Sequence, residues 1–125
     1  MLVEKEQLLI KTLQECMIVC NHCLNECLAS EKVTPMLDCI HANRECIQFC
    51  SYLEQAIIRK SPYAKEFAEI CLSVCTDCAS ECKKHDHRHC QYCAEICMEC
   101  ANACKTFLEE AGTKLDSQSV KTNNL

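Results

Sequence analysis

CMIVCNHCLNEC, Cys16 to Cys27, sets four thiols into twelve residues at steps of four, three and four. Farther along, CLSVCTDCASEC, Cys71 to Cys82, repeats the same steps without change. Alternating steps of three and four keep side chains on one face of an α-helix and mark the inward seam of a helix bundle. The pattern that decides the fold is therefore a core pattern written in sulfur.

Working outward, four segments read as helices. The first runs from about Lys5 to Ser30. Thr34-Pro35 supplies a cap followed by Pro at the first helical position and opens a second, to about Lys60. Ser61-Pro62 repeats that device for a third, ending near Lys84, and Asp86 caps a fourth from His87 to about Ala111. Gly112, the single glycine, stands where a helix end favours a left-handed residue. The following TKLDSQSVKTNNL is polar and without periodicity. Residues 1–112 thus read as one four-helix metal-binding domain and 113–125 as a disordered C-terminal tail. Short connections between long helices imply antiparallel neighbours.

The two halves match. Adding 55 to Leu13, Cys16, Cys20, Cys23 and Cys27 gives Ala68, Cys71, Cys75, Cys78 and Cys82. Adding 54 to Cys39, Cys46 and Cys50 gives Cys93, Cys100 and Cys104, while Met36 pairs with Cys90 and Asn43 with Cys97. The fold class is all-α: an antiparallel four-helix bundle with a cysteine-lined core, built from a duplicated helical hairpin. Asn43 interrupts the ladder, and its position along the seam places the interruption beside Cys20, Cys75 and Cys97.

Composition narrows the function. The formal charge of −5 opposes nucleic-acid binding, which wants a basic face. No run approaches the ~20 apolar residues of a membrane span. Sixteen cysteines suggest a disulfide scaffold, but Glu4, Lys5 and Glu6 stand where an export signal would begin its apolar core. Thiols along one helix face also have poor disulfide geometry. The expectation is a cytoplasmic protein with reduced cysteines.

On the seams lie Cys16, Cys20, Cys23 and Cys27; Cys39, Cys46 and Cys50; Cys71, Cys75, Cys78 and Cys82; and Cys90, Cys93, Cys97, Cys100 and Cys104. A buried thiol can be a small hydrophobe. Sixteen of sixteen cannot be filler, because Leu, Ile or Val would bury more apolar area at each place. Soft thiolates select Cu(I), zinc or iron–sulfur clusters. Structural zinc favours isolated sets of four, and the ferredoxin run with its trailing Pro is absent. Cu(I) suits a continuous ladder, since it accepts two or three sulfurs and one ion per thiolate cancels the buried charge. Neutral filling implies a capacity of roughly sixteen Cu(I) ions, each thiolate a ligand. Zinc buffering and an iron–sulfur electron-transfer protein remain as alternatives. No nucleophile with a dedicated activating partner indicates an enzyme.

One end of the bundle gathers Leu8, Leu9, Leu13, Leu53, Ile57, Ile58, Phe67, Phe107 and Leu108. The other holds Met36 and the loop KKHDHRHC, with His85, His87 and His89, beside Cys27, Cys82 and Cys90. Thioether and imidazole are Cu(I) ligands, so this end reads as the mouth through which metal is admitted. His22 and His41 read as outward-facing surface residues.

On the pairs Cys16/Cys20, Cys23/Cys27, Cys46/Cys50, Cys71/Cys75, Cys78/Cys82, Cys93/Cys97 and Cys100/Cys104, the chain resembles the bacterial cytosolic copper storage proteins. The resemblance spans about Lys5 to Ala111. It implies a cysteine-lined four-helix bundle filled with Cu(I), assembly as a homotetramer, and exchange of copper with donor or acceptor proteins.

Overall fold

Between its turn signals the chain has no Gly or Pro to break a helix, so each thiol ladder can wind without interruption. The computed structural model describes the backbone of residues 1–123 and the side chains of residues 1–111. Its helices are α1 (Glu4–Leu28), α2 (Leu37–Ile58), α3 (Ala64–Lys83) and α4 (Arg88–Asn123). Each packs against two neighbours, α1 on α2, α2 on α3, α3 on α4 and α4 back on α1, which closes an up-down-up-down ring.

The turn signals work, though α2, α3 and α4 each start later than the sequence suggests. Thr34-Pro35 forms a 3-10 turn, Thr34–Met36, and α2 begins behind it at Leu37 without a side-chain cap. The Ser61 Oγ accepts the Tyr63 N–H at 3.1 Å, and α3 begins at Ala64. Asp86 does not cap α4, which starts at Arg88; the His87 carbonyl accepts the Cys90 and Gln91 N–H groups, each at 3.0 Å. Reversing direction between antiparallel helices consumes the residues that a Pro-first helix would have used. α4 also runs through Gly112 to Asn123 instead of ending near Ala111. A lone glycine costs a helix only about 1 kcal/mol relative to Ala and does not stop it. The expected disorder of 113–125 concerns residues whose side chains, and at 124 and 125 the backbone, lie outside the described residues.

α2 ends in a tight reversal. Ser61 N–H reaches the Ala56 carbonyl at 2.9 Å and Lys60 N–H the Ile57 carbonyl at 3.1 Å, with Lys60 at φ 57°. This is the paired-bond helix stop usually reserved for glycine. Lys60 carries it while its Nζ lies 2.9 Å from Glu6 on α1.

The core follows the seams. Leu9, Leu13, Leu53 and Ile57 are buried at one end, with Phe67, Phe107 and Leu108 partly buried against them. Leu8 and Ile58, expected in that plug, are instead more than half exposed, because each lies one residue off its seam. Beyond the plug every core position of the ring is Cys, Asn43 or Met36, flanked by Val19, Ile40, Ala79, Ala94, Ile96 and Ala101.

Candidate metal centre

All sixteen cysteines have no solvent exposure and none is in a disulfide, so the four seams deliver every thiol to one interior. Sulfur touches sulfur along that interior. At the mouth, Cys23 lies 4.0 Å from Cys27 and 3.9 Å from Cys90, Cys27 lies 3.8 Å from Cys39, and Cys39 lies 3.5 Å from Cys82. Deeper, Cys20 is 3.5 Å from Cys97 and 3.7 Å from Cys93, and Cys16 is 3.7 Å from Cys46. Cys46–Cys75 at 3.6 Å and Cys50–Cys71 at 3.7 Å carry the ladder toward the plug.

Ligand-ready groups overlap along the ladder. The sulfurs of Cys23, Cys27, Cys39 and Cys90 lie within 4.8 Å of one another, as do those of Cys20, Cys78, Cys93 and Cys97. The same holds for Cys16, Cys20, Cys46 and Cys97, for Cys16, Cys46, Cys50 and Cys75, and for Cys50, Cys71, Cys75 and Cys100. Cys16 and several others belong to two groups, so the ladder has no natural division into isolated tetrahedral sites. Cu(I), content with two or three shared sulfurs, suits that connectivity better than structural zinc. Sulfurs at 3.5–4.0 Å also leave no room between them for inorganic sulfide.

Asn43 is fully buried, and its neighbours differ from those expected. Its Oδ1 accepts the thiols of Cys78 at 3.3 Å, Cys93 at 3.3 Å and Cys82 at 3.8 Å, and its Nδ2 donates to Cys39 at 3.6 Å. Cys20, Cys75 and Cys97 are not among its partners. Helix side chains lean toward the helix N-terminus, and α2 begins at the mouth, so Asn43 reaches one turn outward from where its Cα sits. A polar amide is accommodated in a core when its oxygen and nitrogen find partners.

At the mouth the sequence-designated residues separate. His89 is half-buried, with Nδ1 3.4 Å from the Cys23 sulfur and 3.5 Å from that of Cys90. His87 is exposed and stacks on His89 at 5.3 Å between ring centres. Met36 is buried at 3% exposure, one helical turn before Cys39. His85 touches no thiol; its Nε2 is buried without a hydrogen-bond partner. His22 and His41 are exposed, as their off-seam positions require.

The thiols cannot all ionise together. Hydrogen bonds from Cys39 and then Cys82 hold Cys23 down at about 5, with His89 adding a smaller share against the push of burial. Burial leads in pushing Cys27 up to about 11. Bonding to Cys16 drives Cys20, and bonding to Cys100 drives Cys75, well above the ordinary thiol value. A soft cation that binds these thiols as thiolates must displace their protons.

Comparison with known proteins places this arrangement. The family model described as "Copper storage protein" (Csp) matches residues 2–109. A Bacillus subtilis (strain 168) protein, "Uncharacterized cysteine-rich protein YhjQ", is 40% identical over 77 residues, which span 62% of this chain and 71% of that one. Among solved structures, the "Cu(I)-bound Copper Storage Protein BsCsp3" superposes with a TM-score of 0.79 at 37% identity, over 82% of this chain and 97% of that one. A "cytosolic copper storage protein from Streptomyces lividans", with five coppers, superposes with a TM-score of 0.81 at 28% identity, over 85% and 93% of the two chains.

Proposed function

Because this chain belongs to the copper storage protein family, we propose that it stores and sequesters many Cu(I) ions in the cytoplasm, on thiolates inside the bundle. The observation that carries the reading is the unbroken ladder of sixteen buried, unpaired thiols with sulfurs in contact. The ligands are Cys16, Cys20, Cys23, Cys27, Cys39, Cys46, Cys50, Cys71, Cys75, Cys78, Cys82, Cys90, Cys93, Cys97, Cys100 and Cys104. One ion per thiolate leaves the interior neutral, which a low-dielectric core demands. Met36, His87 and His89 admit the metal, with His89 in contact with the first thiols supporting that role. The reading is storage, which the continuous set of buried, mutually contacting thiols supports. The cytoplasmic setting is supported by the relation to the Streptomyces lividans protein. Exposed Ile18, Tyr92 and Met98 on the outer faces support association with further copies, for which the family resemblance implies four bundles.

The test is the metal found in protein from cells grown with copper, handled without oxygen. It should be colourless, rich in copper and free of iron. Brown protein carrying iron and acid-labile sulfide would instead establish a cluster protein, and zinc that resists displacement by Cu(I) would establish a zinc buffer.

A further inference from the structure

Some of the core sulfurs close into triangles. Cys71 and Cys75 stand one turn apart on α3 with their sulfurs 3.8 Å apart, and Cys50 reaches across from α2 to lie 3.7 Å from the first and 3.8 Å from the second. Cys93 and Cys97 repeat the arrangement on α4 at 3.8 Å, with Cys20 of α1 lying 3.7 Å and 3.5 Å from them. The two triangles share no sulfur. Each joins a pair one helical turn apart to a third thiol on the neighbouring helix, and none of the six has any solvent exposure.

Cu(I) is content with two sulfurs as well as three, so a closed triangle offers more than copper demands. It also matches a centre that makes three bonds to sulfur on one side and keeps a lone pair on the other. Trivalent arsenic is such a centre, soft and pyramidal, and near neutral pH it is offered as small, uncharged arsenous acid. The absence of charge matters here. A cation entering the core must be matched by thiolates, because an unpaired buried charge is costly. Arsenous acid and three thiols are neutral before and after they combine. Three S–H and three As–O bonds break, three As–S and three O–H bonds form, and three waters leave. Arsenic stays trivalent, and no oxidant or reductant takes part. Water reverses the step, so thiols shut away from solvent favour the product. Sulfurs already in contact also avoid the ordering cost that an open chain meets in gathering them.

We propose that this core is also a sink for trivalent arsenic, with Cys50, Cys71 and Cys75 holding one arsenic through three sulfurs and Cys20, Cys93 and Cys97 holding another. The activity does not rest on copper storage, although the two compete for the same six thiols.

The test adds sodium arsenite to the reduced, metal-free protein without oxygen, then desalts it for native mass spectrometry. At least two arsenics should stay on each chain, each adding the mass of one arsenic less three hydrogens. Cys75→Ser and Cys97→Ser should each lower the arsenic count by about one, and together by about two, with helix content unchanged by circular dichroism. Cu(I) added to the two-arsenic form should find roughly six fewer places than in untreated protein, one for each thiol consumed. Retention of less than one arsenic overturns the proposal. A mass gain that keeps an oxygen means two sulfurs per arsenic and overturns it too, as do equal arsenic counts in the unaltered protein and both serine variants. If a serine variant fails to fold, the count and mass gain of the unaltered protein decide alone. Full copper capacity without bound arsenic removes this proposal and leaves storage standing. Two bound arsenics with four coppers or fewer would remove storage and leave the triangles.

Discussion

The two ends of this bundle are built on one seam geometry and filled with different chemistry. At the closed end Leu9, Leu13, Leu53 and Ile57 occupy the inward positions. At the mouth the equivalent positions hold Cys23, Cys27, Cys39, Cys82 and Cys90, with Met36 and His89 beside them. A buried Leu contributes about 2 kcal/mol through lost apolar area, and a thiol only on the order of 1 kcal/mol. The closed end therefore anchors the fold, and the rest of the core gives up stability for ligands. Four helices need only one well-packed end to stay together, which frees the rest of each seam for cysteine.

The largest effect that would break this division of labour lies in the plug. Leu53→Ala should lower the unfolding free energy of the reduced, metal-free protein by about 2–5 kcal/mol, read from denaturant unfolding. Capacity per folded chain should not change, and a matching loss of copper would show that the ends are not separable. Copper should sharpen the contrast from the other side. Because it binds the folded core, Cu(I) should raise Tm, with each bound ion adding about 4 kcal/mol where free metal stands at about a thousand times its dissociation constant. The metal-free protein should already be helical by circular dichroism, since the plug does not depend on metal, and a random-coil spectrum would contradict this. Next in size comes the mouth. Replacing Met36, His85, His87 and His89 with residues that cannot bind metal should slow loading from a Cu(I)–chelator complex about tenfold, some 1.4 kcal/mol of barrier. Capacity should fall little, and unchanged kinetics would place the route in elsewhere. The smallest effect is at the closed end's turn. Lys60→Gly relieves the left-handed backbone, worth about 1 kcal/mol. It also gives up the partly exposed pair with Glu6, worth ~0–1 kcal/mol. The net change in Tm should be slight.

The thiol ladders were legible because helical period and residue type coincide: each Cys lies on its seam, and burial follows from that alone. The duplication made the hairpin pairing legible in the same way. What the sequence hid depends on side-chain direction and turn geometry. Asn43 stood out as the one amide on a sulfur seam, yet its partners Cys39, Cys78, Cys82 and Cys93 follow from the lean of side chains toward the start of α2. Of the three mouth histidines, only His89 meets thiols, because it alone falls inside the first turn of α4 on the seam side, next to Cys90. Leu8 and Ile58 looked like plug residues by hydrophobicity, though one-residue shifts carry them to the surface. Lys60 carries no sequence mark of its left-handed backbone, since glycine is the usual signal there.

The most direct measurement is an anaerobic titration of the fully reduced, metal-free protein with Cu(I), with unbound metal reported by a competing chelator. Sixteen inward thiols and a neutral core require copper to be withheld from the chelator up to roughly sixteen equivalents per chain. Saturation at one to four equivalents would mean a discrete site among structural cysteines, and would contradict storage along the ladder.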